Sequence, residues 1–391
     1  MSTSALKPRS TAPNADHALA ARMALGFDPW LALATVGLGV CSLVAIHGAA
    51  PAYVSRQAVY LGLGLLLMAV MSRFDYSRLR EFKWGIYALL ILSILLVLAI
   101  GNAANGAERA INFSVVSFQA SEFGKVALMV FLAAVVVDSS RRISATALTA
   151  RVMALALLPT LLVIEEPDLG SGLVYLAIAF AVLYIASVNW RQLAAVAAIG
   201  VTVLTLALAV GPAIGVHVLH HYQEQRLTGF LHPSQNPRSD AFQQVQSVIA
   251  IGAGQKTGRG ANATQTSLGL VGESPTDFIF TVVGERLGFV GAAVVLSLFA
   301  LMIWRALRIV AIAKNLFGAL IAAGAVAMLM FQVFVNVGMT LGIMPITGVT
   351  LPLMSYGGSS VLATFLTLGL LQSIYGQART AAAAKGRVLR F

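Results

Sequence analysis

The chain has 391 residues, of which 58% are hydrophobic and 10% are charged, and its mean hydropathy is +0.85. A soluble chain of this length needs a charged surface around its domains, so this composition excludes a soluble globular protein. The formal net charge of +11 does not indicate a nucleic-acid partner, because the basic residues concentrate in alternate loops between apolar segments.

Apolar segments of about 20 residues, the length that crosses a hydrocarbon core of about 30 Å, recur along the chain. They predict an all-α fold, a polytopic transmembrane bundle of ten spans. The spans are predicted at residues 30–48, 57–72, 84–101, 121–138, 147–165, 170–188, 191–215, 277–304, 315–341 and 355–375. The single cysteine, Cys41, lies in the first span, so no disulfide framework is expected.

The distribution of charge predicts the orientation of the bundle. Ten spans place both termini on one side, and most of the 26 Lys and Arg residues lie on that side, which the positive-inside rule assigns to the cytoplasm. Residues 1–28 and 377–391 are therefore predicted to be cytoplasmic tails of a transmembrane domain at 29–376. Most of the 15 acidic residues fall on the outer side.

A large outer loop at 221–276 separates spans seven and eight, and long loops in compact folds are often functional. Its glycines at 252, 254, 258 and 260 could form a backbone nest for a phosphate, next to Lys256 and Arg259. The stretch GAGQKTG resembles a P-loop only superficially, because Gln255 replaces the glycine before the lysine, and no nucleotide site is expected.

Two further polar clusters lie at outer span ends. Arg109 precedes span four, in which Glu122 and Lys125 are i,i+3 neighbours that can pair on one helix face. Such a pair either stabilises a helix end or lines a functional cavity. The second interpretation is favoured because ionisable groups in membrane segments are costly and usually face a cavity or a partner. In EEPDLGSG, Asp168 is predicted to cap span six, while Glu165 and Glu166 are expected to be solvated.

Span eight begins with GESPTDFIFTVVGERLGFVG. At 1.5 Å and 100° per residue, Glu285 lies about 12 Å deeper than Asp277 and about 80° around the helix. Asp277 is therefore predicted to face the outer interface, with an N-cap as the alternative role, and Glu285 and Arg286 to cross-link helices. The glycine- and proline-rich segment 335–360 is irregular backbone, which at membrane depth survives only against protein or a water-filled cavity.

The motifs SFQASEFGK, EEPDLGSG, QSVIAIGAGQKTGRG, SPTDFIFTVVGERLGFVG and GVTLPLMSYGGSS together resemble the SEDS family of RodA, FtsW and SpoVE proteins. Pro345 and Val349 make the last motif more similar to the elongation member than to the division member. Two positions depart from the family pattern: Pro275 replaces a histidine, and Ala120 replaces a proline.

The resemblance implies a peptidoglycan glycosyltransferase that polymerises lipid II into glycan strands on the outer face, with Asp277 as the catalytic base. It implies a class B penicillin-binding protein as partner, besides membrane lipids. The departing pyrophosphate of lipid II needs positive charge, for which a divalent cation, Mg²⁺ or Mn²⁺, is expected besides basic side chains. The expected substrate-binding residues are Arg109, Glu122, Lys125, Asp168, Lys256, Arg259, Ser355 and Gly357.

Three alternatives stay open at this point. A flippase or transporter for a lipid-linked precursor also carries membrane charges and broken helices, but it predicts charges at the midplane and paired repeats. A division-type polymerase shares the same motifs. A non-catalytic scaffold does not account for the polar outer clusters.

Overall fold

The structure is a computed structural model that describes residues 26–103, 111–112, 117–140, 142–210 and 240–384. Eleven α-helices run through these residues. They are α1 (Pro29–Ala49), α2 (Val54–Arg73), α3 (Lys83–Ala103), α4 (Ala120–Ser139), α5 (Ala145–Glu165), α6 (Leu169–Ile185), α7 (Trp190–Val210), α8 (Asp240–Gly254), α9 (Ile279–Ile312), α10 (Leu316–Thr340) and α11 (Gly358–Ala384).

Short elements connect some of these helices. Single 3₁₀ turns lie at Pro51–Tyr53, Tyr76–Arg80 and Gly260–Asn262, and two short strands, β1 (Ile111–Asn112) and β2 (Ser117–Phe118), pair antiparallel just before α4. The sequence did not predict these strands. Arg109 and the predicted loop residues 221–239 lie outside the described residues.

Within the described residues, eight helices are long and apolar enough to cross a membrane, and two shorter apolar helices lie at Leu169–Ile185 and Trp190–Val203. The two shorter helices coincide with the predicted spans six and seven. The all-α membrane class is thus confirmed, whereas the count of ten spans stays a prediction. Helix α8 lies in the predicted outer loop and has two different faces. Gln244 and Ser247 are buried, whereas Val248 and Ile249 are exposed.

The interior of the bundle is built by α4, α10 and α11. Most residues of these helices are buried, whereas α2 and α3 leave rows of leucines exposed, as expected for a face that lipid covers. Small residues allow the closest approaches. A Cβ on Gly64 of α2 would lie 2.0 Å from the ring of Phe365 in α11, so only glycine fits there.

A buried ion pair ties the start of α1 to the rest of the bundle. Asp28, fully buried, caps α1 and accepts hydrogen bonds from Arg305 Nε of α9 at 2.9 Å, while its backbone N–H donates to Gln372 Oε1 of α11 at 2.7 Å. Asp28 thus packs within the bundle, although the sequence placed it in the tail. At the other terminus, α11 continues to Ala384.

Candidate active site

The backbone before α9 is held by the irregular segment that precedes α11. Tyr356 N–H donates to Pro275 O at 2.8 Å, and Ser355 Oγ donates to Thr276 O at 2.6 Å. From α10, Asn336 Nδ2 donates to Asp277 O at 2.8 Å and to Val349 O at 2.7 Å. These bonds fix the backbone on which the Asp277 carboxylate stands.

Asp277 lies ahead of the helix and not at its cap. Helix α9 begins at Ile279 with Phe278 in the N-cap position, so the alternative interpretation of Asp277 as the N-cap is wrong. The Asp277 side chain is half-buried, which combines a fixed position with access from outside the bundle.

Two residues predicted to bind substrate lie in the same segment. Ser355 is buried, and its Oγ accepts from Leu351 N–H at 2.8 Å while it donates to Thr276. Ser355 therefore positions the Asp277 backbone from within the protein. Gly357 is half-buried, and a Cβ there would meet only Ser360, at 3.7 Å.

Asp168 joins the starts of α4 and α6. Its Oδ1 accepts from Ser171 N–H at 3.0 Å, which confirms the predicted N-cap. Its Oδ2 accepts from Ser121 Oγ at 2.8 Å and from Gln119 Nε2 at 3.2 Å. The carboxylate therefore acts as a cross-link between two helix starts as well as a cap.

The predicted pair of Glu122 and Lys125 forms within α4. Lys125 Nζ lies 2.7 Å from Glu122 Oε1, and both side chains are buried, at 3% and 6% exposure. The starts of α4 and α6 contact the irregular segment that holds the backbone of Asp277. Gln119 N–H donates to Ser359 Oγ at 3.0 Å, and a Cβ on Gly170 would lie 2.8 Å from Thr347 O. The polar motifs thus converge on residues 345–360.

Glu166 corrects one prediction of the sequence. It was expected to be solvated, but it is 4% exposed in the turn between α5 and α6, and within the described residues no hydrogen-bond partner reaches its Oε1. Burial, followed by the charge of Asp168, raises the pKa of Glu166 to about 8. Glu166 lies in the tight turn at residues 166–167, and its side chain is buried there although its sequence neighbours suggest a solvated loop.

The raised pKa predicts a pH-dependent stability. Because the fold favours the protonated carboxyl, the contribution of Glu166 to the free energy of unfolding is largest below pH 4.5 and falls as the pH rises to about 8. Glu166→Gln should remove this loss, on the order of a few kcal/mol. Melting temperatures of both proteins between these pH values test this, and Glu165→Gln, at an exposed neighbour, is the control. Parallel pH profiles for wild type and Glu166→Gln would contradict the assignment.

Glu285 holds the outer loop and does not cross-link spanning helices as predicted. It is fully buried, and its two oxygens accept four hydrogen bonds, from Thr264 N–H, Gln265 N–H, Thr266 N–H and Thr266 Oγ1, at 2.7 to 2.9 Å. Arg286 Nη2 likewise donates to Ser267 Oγ at 3.0 Å, so both side chains bind the loop. The loop is thereby fixed to α9.

The glycine cluster of the loop packs on a kink in α9. Gly288 has φ 63°, and a Cβ there would lie 2.3 Å from Gly258 N. The N–H of Gly258 donates to Gly254 O at 2.8 Å, and that of Arg259 donates to Glu285 O at 2.8 Å. These two amides are used inside the protein, so the predicted phosphate nest is wrong for them. The Lys256 and Arg259 side chains are exposed.

The described residues do not form a metal cage, since no three His, Cys, Asp or Glu side chains among them are placed to hold a metal ion. A Mg²⁺ or Mn²⁺ bound by this part of the chain would therefore be held by one or two carboxylates together with a substrate phosphate, which is the usual arrangement for Mg²⁺. Of the cationic residues expected to bind substrate, Lys125 is paired with Glu122 inside the bundle, and Lys256 and Arg259 lie on the loop segment that bonds to Glu285 and Val290 of α9.

Sequence reasoning missed Asn336 and Gln119, whose amides organise the site. Each is a polar residue beside or within an apolar helix, and such residues in membrane helices commonly bond across helices. That signal was present for Asn336 in the run VFVNVGMT.

Comparison with known proteins gives a consistent result. The family model for FtsW, RodA and SpoVE, described as cell cycle protein, matches residues 30–380. Peptidoglycan glycosyltransferase MrdB of Escherichia coli K12 is 36% identical over 356 residues, which cover 89% of this chain and 93% of that protein. Peptidoglycan glycosyltransferase RodA of Treponema pallidum is 32% identical and covers 82% of this chain and 88% of its own length.

Solved structures agree with the sequence relatives. A chain of a peptidoglycan synthase complex, described as coordinating polymerization and crosslinking, is 32% identical and superposes with a TM-score of 0.74, covering 90% of this chain and 98% of its own. Rod shape determining protein RodA of Thermus thermophilus is 30% identical with a TM-score of 0.65, covering 89% and 96%. The five motifs, the fold and these matches lead to one conclusion: the chain belongs to the FtsW/RodA/SpoVE family, the SEDS proteins.

Proposed function

We propose that the protein is a multi-pass enzyme of the bacterial inner membrane that polymerises lipid II into glycan strands during cell elongation. The observation that carries this proposal is the half-buried Asp277 carboxylate, whose backbone is fixed from two other segments at the head of α9. Family membership and the names of the relatives support it, and they do not favour a flippase or transporter. The charge distribution supports cytoplasmic termini and an outward-facing site.

The chemistry requires one base and one site for the leaving group. Lipid II carries an α-linked sugar on a diphosphate, and a β-linkage forms by inversion in a single displacement. The acceptor hydroxyl oxygen attacks the anomeric carbon, the bond from that carbon to the diphosphate oxygen breaks, and the diphosphate leaves with the electron pair. Asp277 takes the proton of the hydroxyl as general base.

Positive charge is needed where the diphosphate departs. Lys125 is buried in its pair with Glu122, whereas Lys256 and Arg259 are exposed on the loop that packs against α9. We assign the diphosphate contact to these two loop residues, and a positioning role to Glu122, Lys125, Asp168 and Ser355. Participation of a divalent cation, brought with the diphosphate, is tested by adding EDTA to the assay.

Charge removal at Arg259 should lower polymerisation without unfolding the protein. The side chain is exposed and its one hydrogen bond within the described residues is to Thr264 Oγ1 at 3.2 Å, so Arg259→Gln costs little stability. Loss of a charged hydrogen bond to the diphosphate should lower kcat/KM about tenfold. Arg259→Lys keeps the charge and should retain most of the rate. Equal rates for Arg259→Gln and wild type would remove Arg259 from the site.

The proposed function is tested with purified protein and labelled lipid II, with glycan strands separated by size. One similar structure comes from a complex described by polymerization and crosslinking, which supports a class B penicillin-binding protein as the cross-linking partner. The assay is therefore run alone and with that partner. Absence of strands in both conditions, with folded protein, would reject the polymerase assignment.

A further inference from the structure

A cavity of about 820 Å³ opens at the end of the bundle opposite Asp277. Two helices connect the two places. Helix α4 runs from Ser121, in the candidate active site, to Asp138, in the cavity wall, a rise of about 26 Å. Helix α10 begins at Leu316 in the wall and reaches Asn336 in the site. The cavity is therefore separate from the proposed reaction and lies near the other face of the membrane.

The wall of the cavity is strongly basic. Arg80, Lys83, Arg142 and Arg151 line it together with one acid, Asp138. Asp138 accepts from Arg80 Nε at 2.9 Å and from Lys83 Nζ, which holds these two cations side by side. Within the described residues no carboxylate pairs with Arg142 or Arg151, and Arg151 Nη1 donates only to Ser139 Oγ, at 3.4 Å. Positive charge thus exceeds negative charge in a concave wall.

The rim of the cavity is apolar and faces outward. Trp84, at the first turn of α3, is 52% exposed, and Leu316, at the first residue of α10, is 43% exposed. Tryptophan at the end of a membrane helix typically lies at headgroup level. Leu92 and Leu95 continue the exposed face of α3 away from the cavity. The basic wall, the rim with Trp84 and the exposed leucines of α3 therefore follow one another in the same order as the headgroup, the interfacial region and the acyl chains of a lipid.

We propose that this cavity binds the phosphate headgroup of an anionic phospholipid, with its acyl chains along α3. Arginine matches phosphate with paired N–H donors, and basic pockets between helices on the cytoplasmic side are suited to anionic headgroups. Arg142 and Arg151 contact the phosphate, and the Asp138-held pair of Arg80 and Lys83 neutralises the rest of the headgroup. The site is independent of the proposed polymerase reaction.

Native mass spectrometry of the detergent-purified full chain tests this, with phosphatidylglycerol, phosphatidylcholine and inorganic phosphate as probes. The double variant Arg142→Gln/Arg151→Gln should weaken phosphatidylglycerol binding about tenfold or more. The matched control, Arg78→Gln/Arg191→Gln, removes two exposed arginines outside the cavity and should change binding less than about twofold. Phosphatidylcholine should bind at least about tenfold more weakly than phosphatidylglycerol.

Three results would overturn the proposal. Equal binding of the two lipids would show no headgroup site. Equal losses in the two double variants would show general surface attraction. Displacement of the lipid by inorganic phosphate at equal concentration would indicate a soluble anion. Should the double variant fail to fold, by its melting temperature, Lys83→Gln against Arg78→Gln gives the same comparison at single positions.

Discussion

Asp277→Asn is expected to reduce lipid II polymerisation by about 10²-fold or more, the usual scale for a missing acid–base group. Asparagine has the same shape but cannot take a proton from the acceptor hydroxyl. The bonds that fix this position run to the backbone oxygens of Pro275, Thr276 and Asp277, so they persist in the variant. The melting temperature should therefore stay near that of the wild type, and kcat should fall more than KM changes.

Glu273→Gln is the matched control for Asp277→Asn. This acid is exposed four residues earlier on the same loop, and its Oε2 accepts from Thr276 Oγ1 at 2.8 Å. Removing its charge should leave the rate within about twofold of wild type, because it lies outside the assigned site. A stable Asp277→Asn protein with full activity would show that this carboxylate is not the base, and Asp168 would be the next candidate to test.

Lys125→Met is expected to destabilise the protein by about 3–5 kcal/mol, because it leaves the Glu122 carboxylate buried without its counter-ion. The pair is nearly inaccessible, and Lys125 Nζ lies 2.7 Å from Glu122 Oε1. The double variant Glu122→Gln/Lys125→Met removes both charges and should recover most of the lost stability. Thermal unfolding of the wild type, Lys125→Met, Glu122→Gln and the double variant in one detergent gives the coupling energy between the two side chains.

The polymerisation activity of the same four proteins shows whether the pair of Glu122 and Lys125 only positions α4 or also contacts the substrate. If the pair only positions α4, polymerisation should return together with stability in the double variant. A double variant that is stable but inactive would mean that Lys125 or Glu122 contacts substrate, and the positioning role assigned to the pair would be wrong. Lys314→Met, at an exposed lysine far from the site, controls for loss of charge.

Local signals predicted much of this molecule. The apolar segments, the cap at Asp168 and the pair of Glu122 and Lys125 follow from residues within a few positions of one another. The errors at Glu166 and Glu285 concern where a carboxylate points once distant chain segments pack around it. The hydrogen bonds that place Asp277 join residues 59 and 79 positions apart, and no local pattern encodes such partners.

The mutual contact of Gly258 and Gly288 restricts how this chain can be recombined with its relatives. Each residue has positive φ, and a side chain at either would collide with backbone of the other's segment, at 2.1 to 2.3 Å. The loop around Gly258 and the part of α9 around Gly288 can therefore be exchanged with those of a relative only together. A chimera that takes residues 255–276 from a relative, but not the turn of α9 around Gly288, should fold incorrectly. An exchange of residues 255–290 transfers both contacting segments together and should preserve the contact.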